Sequence, residues 1–389
     1  MGLTRADISR QWVAQICCAL ARTSSHVSVQ SFRLTELISA QGVISRYASS
    51  TRESIVGHRV LTIHWTSALE RFEHRVLLKC KAPGPTIRRR IEEVYRKLDP
   101  QLADVQALVT PSILDDCHTR ELQVYELERP HLQSITPQIY RVWRNDATQV
   151  FVIAMELLEN VRHLNTLADL DVWTDSDVAH VLTGIAGVHG DFLGAPPQWL
   201  VPFQRLHNER LLDYEAALLA YNARTFPDLF DATRTRVLES LLASASSRVR
   251  AIAARPLTLI HGDFTPRNIC LRSDDNLCAY DWELAQAHLP QRDVCELLCY
   301  VLDPKRGWRD DVTVRLLEHY RTCLEKAAGR PIEKPQFRRD LALALAEFCS
   351  FKLLVQGVTH QLLGNRYYFE RLVHNAFAGV EALGKEAFT

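Results

Sequence analysis

Two periodicities divide this chain into a strand-rich part and a helical part. Five segments before residue 159 alternate between apolar and polar residues or run apolar between polar stretches, the pattern of strands in a small antiparallel sheet. From about residue 160 the apolar residues recur mostly at helical spacing. These patterns predict an α+β fold, with one lobe in residues 1–158 and a mostly helical lobe in residues 159–389. The predicted strands are Val43–Ala48, Val60–Thr66, Arg75–Ala82, Ile139–Trp143 and Val150–Met155.

Two helical segments extend the first lobe beyond its predicted sheet. Residues 5–22 place apolar side chains on one side of a helix, which we expect to pack on the segments that follow. Residues 83–117 form an insertion whose apolar positions recur at helical spacing until Pro100, which ends that helix.

One stretch interrupts the helical lobe and carries the most specific motif of the chain. In residues 257–283 an apolar strand ends in His-Gly-Asp at Asp263, and Asn268 follows five residues later. Asp281 comes after a second apolar run. A polar turn between two short apolar runs predicts a hairpin. Asn268 and Asp281 lie at its two ends, and the pairing of the strands brings those ends close together.

These three polar residues match the needs of phosphoryl transfer from a magnesium nucleotide. One carboxylate must accept the proton of the attacking hydroxyl, and Asp263 is assigned that role. A carboxamide and a second carboxylate must hold the metal, so Asn268 and Asp281 are the predicted Mg²⁺ ligands. Loop 261–268 is therefore the predicted catalytic loop, and protein kinases use the same spacing of Asp and Asn. The alternative is that the two aspartates merely cap turns.

The sequence His-Gly-Asp-Phe occurs twice, at residues 189–192 and at residues 261–264. The first copy ends a helical pattern and has Pro196 where the second copy has Asn268, so we interpret the first as structural. Asp293 precedes an apolar helix and is also interpreted as structural, either as a helix cap or as a tether of the catalytic loop. The helix of the first copy contains glycines at intervals of three, which predicts a surface that another element approaches closely. These glycines are Gly184, Gly187 and Gly190.

A lysine in an apolar strand gives the first lobe a candidate phosphate-binding group. A buried lysine needs a partner that offsets its desolvation, and kinases provide both nucleotide phosphates and a helix glutamate. Lys79 and Lys81 lie on the same strand face, so alternation does not choose between them. Lys79 is preferred because it directly follows three apolar residues. Glu121 is the preferred partner, with Glu92 or Glu93 as the alternative.

Two further segments of the first lobe are candidates for contact with a nucleotide. The link that contains Ser49 and Ser50 could bind phosphate oxygens through hydroxyl and backbone N–H groups. The alternative is a solvated hairpin loop, since the chain contains no G-x-G-x-x-G motif. Glu156, Leu157 and Leu158 carry the chain from the last predicted strand toward the helical lobe, where backbone groups could meet an adenine edge.

Composition and charge exclude several classes of function. Lys+Arg and Asp+Glu both total 46, so the whole molecule has no net attraction for nucleic acid or an anionic membrane. The ten cysteines include no C-x-x-C pair and several adjoin apolar runs, which suits buried thiols in a reducing compartment. The N-terminus lacks the pattern of a signal peptide, and no uncharged apolar stretch is long enough for a membrane helix. We therefore expect a cytoplasmic protein that binds neither nucleic acid nor membrane.

In these residues the chain resembles the aminoglycoside phosphotransferase and choline kinase superfamily, small-molecule kinases with a protein-kinase-like fold of two lobes. The resemblance covers roughly residues 40–300. It rests on His261-Gly262-Asp263-Phe264 with Asn268, on Asp281-Trp282-Glu283, on Lys79, and on Glu121 with Val124-Tyr125.

The resemblance implies an ATP- or GTP-dependent transfer of phosphate to a hydroxyl group. It implies that Asp263 is the base, that Asn268 and Asp281 hold Mg²⁺, and that the nucleotide lies against the 156–158 crossover. Lys79 would bind the phosphates while paired with Glu121, and His261 would shape the loop. Thr265 occupies the place where many protein kinases carry a lysine, which favours the small-molecule branch.

The acceptor and the oligomeric state stay open at this point. Glu209, Asp213 and Glu215 could meet a cationic amine, but an aminoglycoside, an amino alcohol, a sugar and another metabolite all remain candidates. Two other hypotheses are a kinase that phosphorylates a peptide Ser or Thr during natural-product maturation and a non-catalytic nucleotide-binding regulator. All the positions expected of a catalyst are filled, which weakens the regulator hypothesis.

Overall fold

Two compact units, each built from more than one chain segment, make up the computed structural model. The first unit comprises Met1–Val94, Ile113–Glu128 and Thr136–Glu159, and the second comprises Tyr95–Ser112, Arg129–Ile135 and Asn160–Thr389. The structure describes residues 3–4, 7–22, 27–37, 55–67, 70–163, 170–364 and 366–383. The predicted strand Val43–Ala48 lies outside the described residues.

The order of elements is mixed at first and mostly helical afterwards. Up to the end of the first unit the elements are α1 (Arg10–Ala21), β1 (Val27–Glu36), β2 (Gly57–Ser67), β3 (Glu70–Cys80), α2 (Gly84–Leu98), α3 (Pro100–Ala107), α4 (Cys117–Tyr125), α5 (Pro130–Ile135), β4 (Ile139–Asn145) and β5 (Val150–Glu156). They continue with β6 (Val161–His163), α6 (Asp175–Asp191), α7 (Phe203–Leu206), α8 (Glu209–Thr225), α9 (Ala232–Ala243), α10 (Ala245–Ala253), β7 (Thr258–Ile260), β8 (Ile269–Arg272), β9 (Leu277–Ala279), β10 (Gln286–His288), α11 (Gln291–Val301), α12 (Asp311–Ala328), α13 (Lys334–Ser350), α14 (Lys352–Leu363) and α15 (Arg366–Leu383).

An antiparallel sheet forms the centre of the first unit, with the described strands in the order β1-β2-β3-β5-β4. One face of the sheet buries alternate apolar side chains of β2, β3 and β5 in a common core. The N-terminal helix α1 adds Val13 and Ile16 to that core and stacks Trp12 on Trp143 of β4, with ring centroids 3.9 Å apart. The predicted α+β class, with an antiparallel sheet before a mostly helical remainder, is confirmed.

The helix α4 covers the other face of the sheet, where it packs along β5 and near Leu77 of β3. Leu122 packs with Phe151, Ile153 and Met155, and the His118 ring meets Phe151 edge to face. This packing fixes the rotation of α4, so that Glu121 is fully buried.

The segment Tyr95–Ser112 belongs to the second unit, whereas the sequence pattern predicts that it lies in the first lobe. Its contacts explain the difference, because the hydroxyl of Tyr214 on α8 donates to Tyr95 across 3.1 Å. Arg224 on the same helix forms an ion pair with Asp99. The C-terminal part of the predicted insertion therefore packs on helices of the second unit.

The helix α11 is buried along its whole length and packs on α13 and α15. The helices α13 and α14 adjoin at Phe351, where the backbone leaves the helical region. Among the described residues, the stretch Lys334–Leu362 is long and apolar enough to cross a membrane by length and composition. In its most apolar window 89% of the residues are buried inside the protein, as expected of a helix in a protein core.

The glycine positions of α6 allow close approach, as their spacing predicts, but to three different elements. A Cβ atom would lie 2.8 Å from the Cβ atom of Leu277 at Gly184 and 2.8 Å from the His131 ring at Gly187. At Gly190 it would lie 2.4 Å from the Cβ atom of Ala327 and 2.7 Å from that residue's backbone carbon. Backbone atoms of α12 cannot move aside as easily as a flexible side chain, so Gly190 is the most restrictive of the three.

We expect Gly190→Ala to lower the free energy of unfolding by about 1–3 kcal/mol, because the new methyl group would overlap α12. Helix propensity alone would predict a gain of about 1 kcal/mol from the same change. Urea denaturation followed by circular dichroism measures the difference, with His180→Ala on the exposed side of α6 as the control. An alanine variant as stable as the wild type would contradict the tight packing.

Candidate active site

The predicted catalytic loop connects β7 to a short 3₁₀ helix, Pro266–Asn268, that leads into β8. Strand β10 pairs with β7 in antiparallel register and returns the chain beside the loop. Gly262 has φ = 75°, and a Cβ atom there would lie 2.1 Å from the carbonyl oxygen of Leu284. Only glycine suits this position, because both the positive φ and the close carbonyl exclude a side chain.

A buried carboxylate on α11 fixes the backbone of this loop. Asp293 accepts hydrogen bonds from the backbone N–H groups of His261 and Gly262, at 2.7 and 3.0 Å. Burial by itself would raise the pKa of Asp293, but the hydrogen bond from His189 and the neighbouring charges outweigh it and hold the pKa below the ordinary value. Of the two structural roles predicted for Asp293, its contacts are those of the tether.

The first copy of the duplicated motif supports the second copy. His189 is fully buried, with Nε2 3.2 Å from Asp293 Oδ2 and Nδ1 2.7 Å from the hydroxyl oxygen of Tyr320. Asp191 lies at the end of α6, where Oδ1 is 2.7 Å from His131 Nδ1. The four identical letters therefore have different surroundings, a helix end in one case and a strand-to-loop transition in the other.

His261 connects the loop to the segment that precedes Asp281. Its ring is fully buried and packs 4.6 Å from the Trp282 ring, measured between centroids. Nε2 lies 3.0 Å from the carbonyl oxygen of Tyr280, and Nδ1 accepts the backbone N–H of Asp263 at 3.3 Å. These contacts fit a neutral ring with its proton on Nε2, a tautomer that we assign from the hydrogen bonds.

Asn268 holds Asp263, the predicted base, through its side-chain amide. Asn268 Nδ2 donates to the backbone oxygen of Asp263 at 2.9 Å and to Asp263 Oδ2 at 2.7 Å. A primary amide has two N–H donors, and both are used here. The carbonyl oxygen Oδ1 is therefore the atom through which Asn268 could coordinate a metal ion.

The hairpin predicted from the sequence exists and brings Asn268 beside the segment that contains Asp281. Strands β8 and β9 pair from Ile269 with Ala279 onward, and the backbone N–H of Tyr280 donates to the carbonyl oxygen of Asn268 at 2.9 Å. Asp281 then takes a left-handed conformation, with φ = 70° and ψ = 52°, which is unfavourable for a residue with a side chain. A carboxylate and an amide oxygen are a ligand set that suits Mg²⁺.

Lys352, the first residue of α14, also binds Asp263, the predicted base, and was not predicted from the sequence. Its Nζ atom lies 2.7 Å from Asp263 Oδ1 and 3.1 Å from the carbonyl oxygen of Gly262. Burial alone would raise the pKa of Asp263, but Lys352 and then Arg267 lower it below its ordinary value. The one available signal was a lone lysine within a long apolar stretch, at a position 89 residues from Asp263.

In the first unit, Glu121 on α4 forms ion pairs with both candidate lysines. Lys79 Nζ lies 2.7 Å from Glu121 Oε1, and Lys81 binds Oε2 of the same carboxylate. The Lys79 side chain keeps 12% of its surface exposed, against 3% for Lys81. Of the alternative partners, Glu93 pairs with Arg90 on the surface of α2. Both lysines are thus anchored by one buried carboxylate, and Lys79 is the more accessible.

The structure describes only some of the other residues that are predicted to contact a nucleotide. Glu156 ends β5, and its carboxylate accepts the backbone N–H of Gln138 at 3.0 Å, while Leu157 and Leu158 follow in the partly exposed connection. Ser49 and Ser50 lie outside the described residues.

The three acidic residues suggested for a cationic acceptor do not converge. Glu209 and Asp213 are on the exposed side of α8, whereas Glu215 is buried. Burial raises the pKa of Glu215 to about 8, so this group would be largely uncharged at neutral pH. These three residues therefore do not form one anionic site.

Comparison with solved structures finds similar chains at low identity. A choline kinase from Streptococcus pneumoniae shares 11% identity with a TM-score of 0.46, covering 96% of this chain and 99% of that chain. An ethanolamine kinase from Plasmodium vivax shares 12% identity with a TM-score of 0.43, covering 84% and 81%. An aminoglycoside phosphotransferase from Streptomyces rimosus, solved with ADP and streptomycin, shares 15% identity with a TM-score of 0.38, covering 74% and 92%. No curated protein sequence matches the chain.

A family model gives the assignment. The model of the phosphotransferase enzyme family matches residues 77–332, more than half of the chain. The matched range includes Lys79, Glu121 and the whole of the 257–283 stretch, so the resemblance found in the sequence is confirmed. The chain belongs to the phosphotransferase enzyme family.

Proposed function

We propose that this phosphotransferase moves the γ-phosphate of ATP or GTP to a hydroxyl group of a small molecule in a Mg²⁺-dependent reaction. Asp263 is the base, and Asn268 and Asp281 are the metal ligands. Lys79 binds the nucleotide phosphates while Glu121 holds it in place. The connection at Glu156–Leu158 and the link at Ser49–Ser50 are the proposed further contacts of the nucleotide.

One observation carries the proposal: Asn268 binds Asp263, and the open end of the β8–β9 hairpin brings the segment of Asp281 beside Asn268. Asn268 donates to Asp263, and the N–H group of Tyr280, which precedes Asp281, donates to the Asn268 carbonyl. The strained backbone at Asp281 supports a functional role, because such outliers persist where the surrounding structure over-determines them. Mg²⁺ bound there would neutralise phosphate charge during the transfer.

The geometry around Asp263 suits a residue that orients the acceptor. As the acceptor oxygen bonds to the γ-phosphorus, the bond from that phosphorus to the β-phosphate oxygen breaks, and the hydroxyl proton passes to the Asp263 carboxylate. Lys352 holds one carboxylate oxygen and Asn268 holds the other. A carboxylate fixed in this way aims its lone pairs in a constant direction. In phosphoryl transfer, positioning of this kind contributes more than the strength of the base.

The duplicated motif offers a matched test of these assignments. We expect Asp263→Asn and Asp281→Asn to lower turnover of MgATP by about a thousandfold, since each removes a group that acts on the transferring phosphate. Both variants should keep the wild-type melting temperature within a few degrees. The measurement is coupled release of ADP over a panel of amino alcohols, aminoglycosides and sugars, with Asp191→Asn as the control from the first motif copy.

The Asp191→Asn control shows whether a loss of turnover is specific to the second copy of the motif. Asp191→Asn should turn over nucleotide like the wild type, because its carboxylate pairs with His131 at a helix end. Equal turnover by wild type and Asp263→Asn on each active acceptor would contradict the proposed base. Wild-type binding of nucleotide with no turnover on any acceptor would instead favour a regulator. Activity restricted to Ser- or Thr-containing peptides, added as a final arm, would favour a peptide kinase.

Substitutions of the two lysines that pair with Glu121 should change different quantities. We expect Lys79→Met to raise the Kd for MgADP and lower turnover at least about tenfold, because the more accessible ammonium meets the phosphates. Lys81→Met should mainly lower the melting temperature, since it leaves Glu121, a fully buried carboxylate, with one fewer cation. Calorimetric titration and thermal melting measure the two quantities. The reverse result would identify Lys81 as the phosphate lysine.

A further inference from the structure

Lys352 sits where its local environment alone would disfavour a cation. It is the first residue of α14, where the positive end of the helix dipole repels a positive charge. Its side chain keeps only 10% of its surface exposed, so burial adds a desolvation cost. Burial lowers the pKa of Lys352, but Asp263 and then Glu296 outweigh it and raise the pKa above its ordinary value. The ammonium is stabilised by the carboxylates that surround it.

The contacts of Lys352 are directed at the catalytic loop. The ammonium lies 2.7 Å from Asp263 Oδ1, 3.1 Å from the carbonyl oxygen of Gly262 and 3.6 Å from Glu296 Oε1. The first two distances are those of hydrogen bonds to the loop, and the third is that of an ion pair. Lys352 is therefore occupied by the loop and by α11, and it acts on the orientation of Asp263.

Lys352 is connected through Glu296 to a chain of buried ion pairs. Glu296 lies 3.3 Å from Arg292, measured from Oε2 to Nη1, and Arg292 pairs in turn with Glu347. All three side chains are at most 5% exposed. Buried ion pairs contribute little net stability compared with apolar side chains of similar size. A row of alternating charges that ends on the catalytic aspartate is therefore better explained by its effect on that aspartate.

The catalytic loop itself lacks a cation next to Asp263 at the place where protein kinases often have one. Thr265 occupies that place, and its side chain is fully buried. In this chain an ammonium reaches Asp263 from α14, a separate element of the same unit.

We infer that Lys352 is a positioning residue of the phosphoryl-transfer site, which holds the Asp263 carboxylate in its reactive orientation and takes the place of a lysine within the loop. The inference rests on the proposed function, because orientation of Asp263 matters only if Asp263 acts on the acceptor. A positioning role predicts a loss in kcat with little change in nucleotide affinity. A purely structural role predicts a loss of stability with normal kcat in the folded fraction.

The test compares full-length Lys352→Met and Lys352→Arg with the wild type. We expect Lys352→Met to lower kcat by about a hundredfold, the effect of a misplaced reacting group. The Kd for MgADP, measured by calorimetry, should stay within about threefold of the wild-type value. Lys352→Arg, which keeps the charge, should recover part of the lost kcat. The probe is MgATP with an acceptor that the wild type phosphorylates, and ADP release is measured.

The control is Lys334→Met, which removes a lysine ion pair with Glu318 at the surface and should leave kcat unchanged. A folded Lys352→Met variant with wild-type kcat would overturn the inference, as would a loss of MgADP affinity equal to the loss in kcat. If Lys352→Met does not fold, Lys352→Gln and Lys352→Arg are compared at matched folded fractions. A higher kcat for the arginine variant supports the inference, and equal values overturn it.

The outcome also separates this inference from the proposed function. A wild-type protein that consumes no nucleotide with any acceptor would overturn the proposed function and the inference with it. A wild type that is active, is disabled by Asp263→Asn and is unaffected by Lys352→Met would overturn the inference alone.

Discussion

The predicted catalytic loop is held by one buried carboxylate, that of Asp293, which accepts hydrogen bonds from two consecutive N–H groups of the loop. Loops leave backbone donors unpaired, and a donor buried without a partner costs about 1–3 kcal/mol. Asp293 satisfies both donors, and His189 and Tyr320 continue the hydrogen-bonded chain into α6 and α12. The loop is thereby attached to three helices of the helical core, and its conformation is set before any substrate binds.

The polar residues around Asp263 restrict one another's orientation. Asn268 uses both amide protons on Asp263, so its oxygen is the atom through which it would hold the proposed metal, and the hairpin brings the Asp281 segment alongside. Lys352 holds the other oxygen of Asp263. Phosphoryl transfer asks a protein mainly for position and charge, and these contacts supply both. The buried charges that hold Lys352 fit the same purpose, since they are a poor means of stabilising a fold.

The sequence predicted the local parts of this arrangement and missed those that depend on tertiary packing. The hairpin followed from two short apolar runs around a polar turn, and the strand that carries Lys79 followed from its apolar residues. The assignment of residues 95–112 to the second unit could not be predicted from the sequence, because it is decided by contacts such as that of Tyr95 with Tyr214. Lys352 also escaped prediction, since no local pattern shows which side chain lies near Asp263 from 89 residues away. The support that His189 gives to Asp293 is of the same tertiary kind.

The proposed function requires that Asn268 and Asp281 hold a metal ion that is shared with the phosphates of a nucleotide, while Asp263 acts on the acceptor hydroxyl. The most direct measurement is a crystal structure of the protein with Mg²⁺ and a non-hydrolysable ATP analogue. Our account predicts Mg²⁺ at roughly 2.1 Å from both Asn268 Oδ1 and a carboxylate oxygen of Asp281. It also predicts that Asp263 faces the γ-phosphate without binding the metal. A bound nucleotide whose Mg²⁺ has neither Asn268 nor Asp281 as a ligand would contradict it.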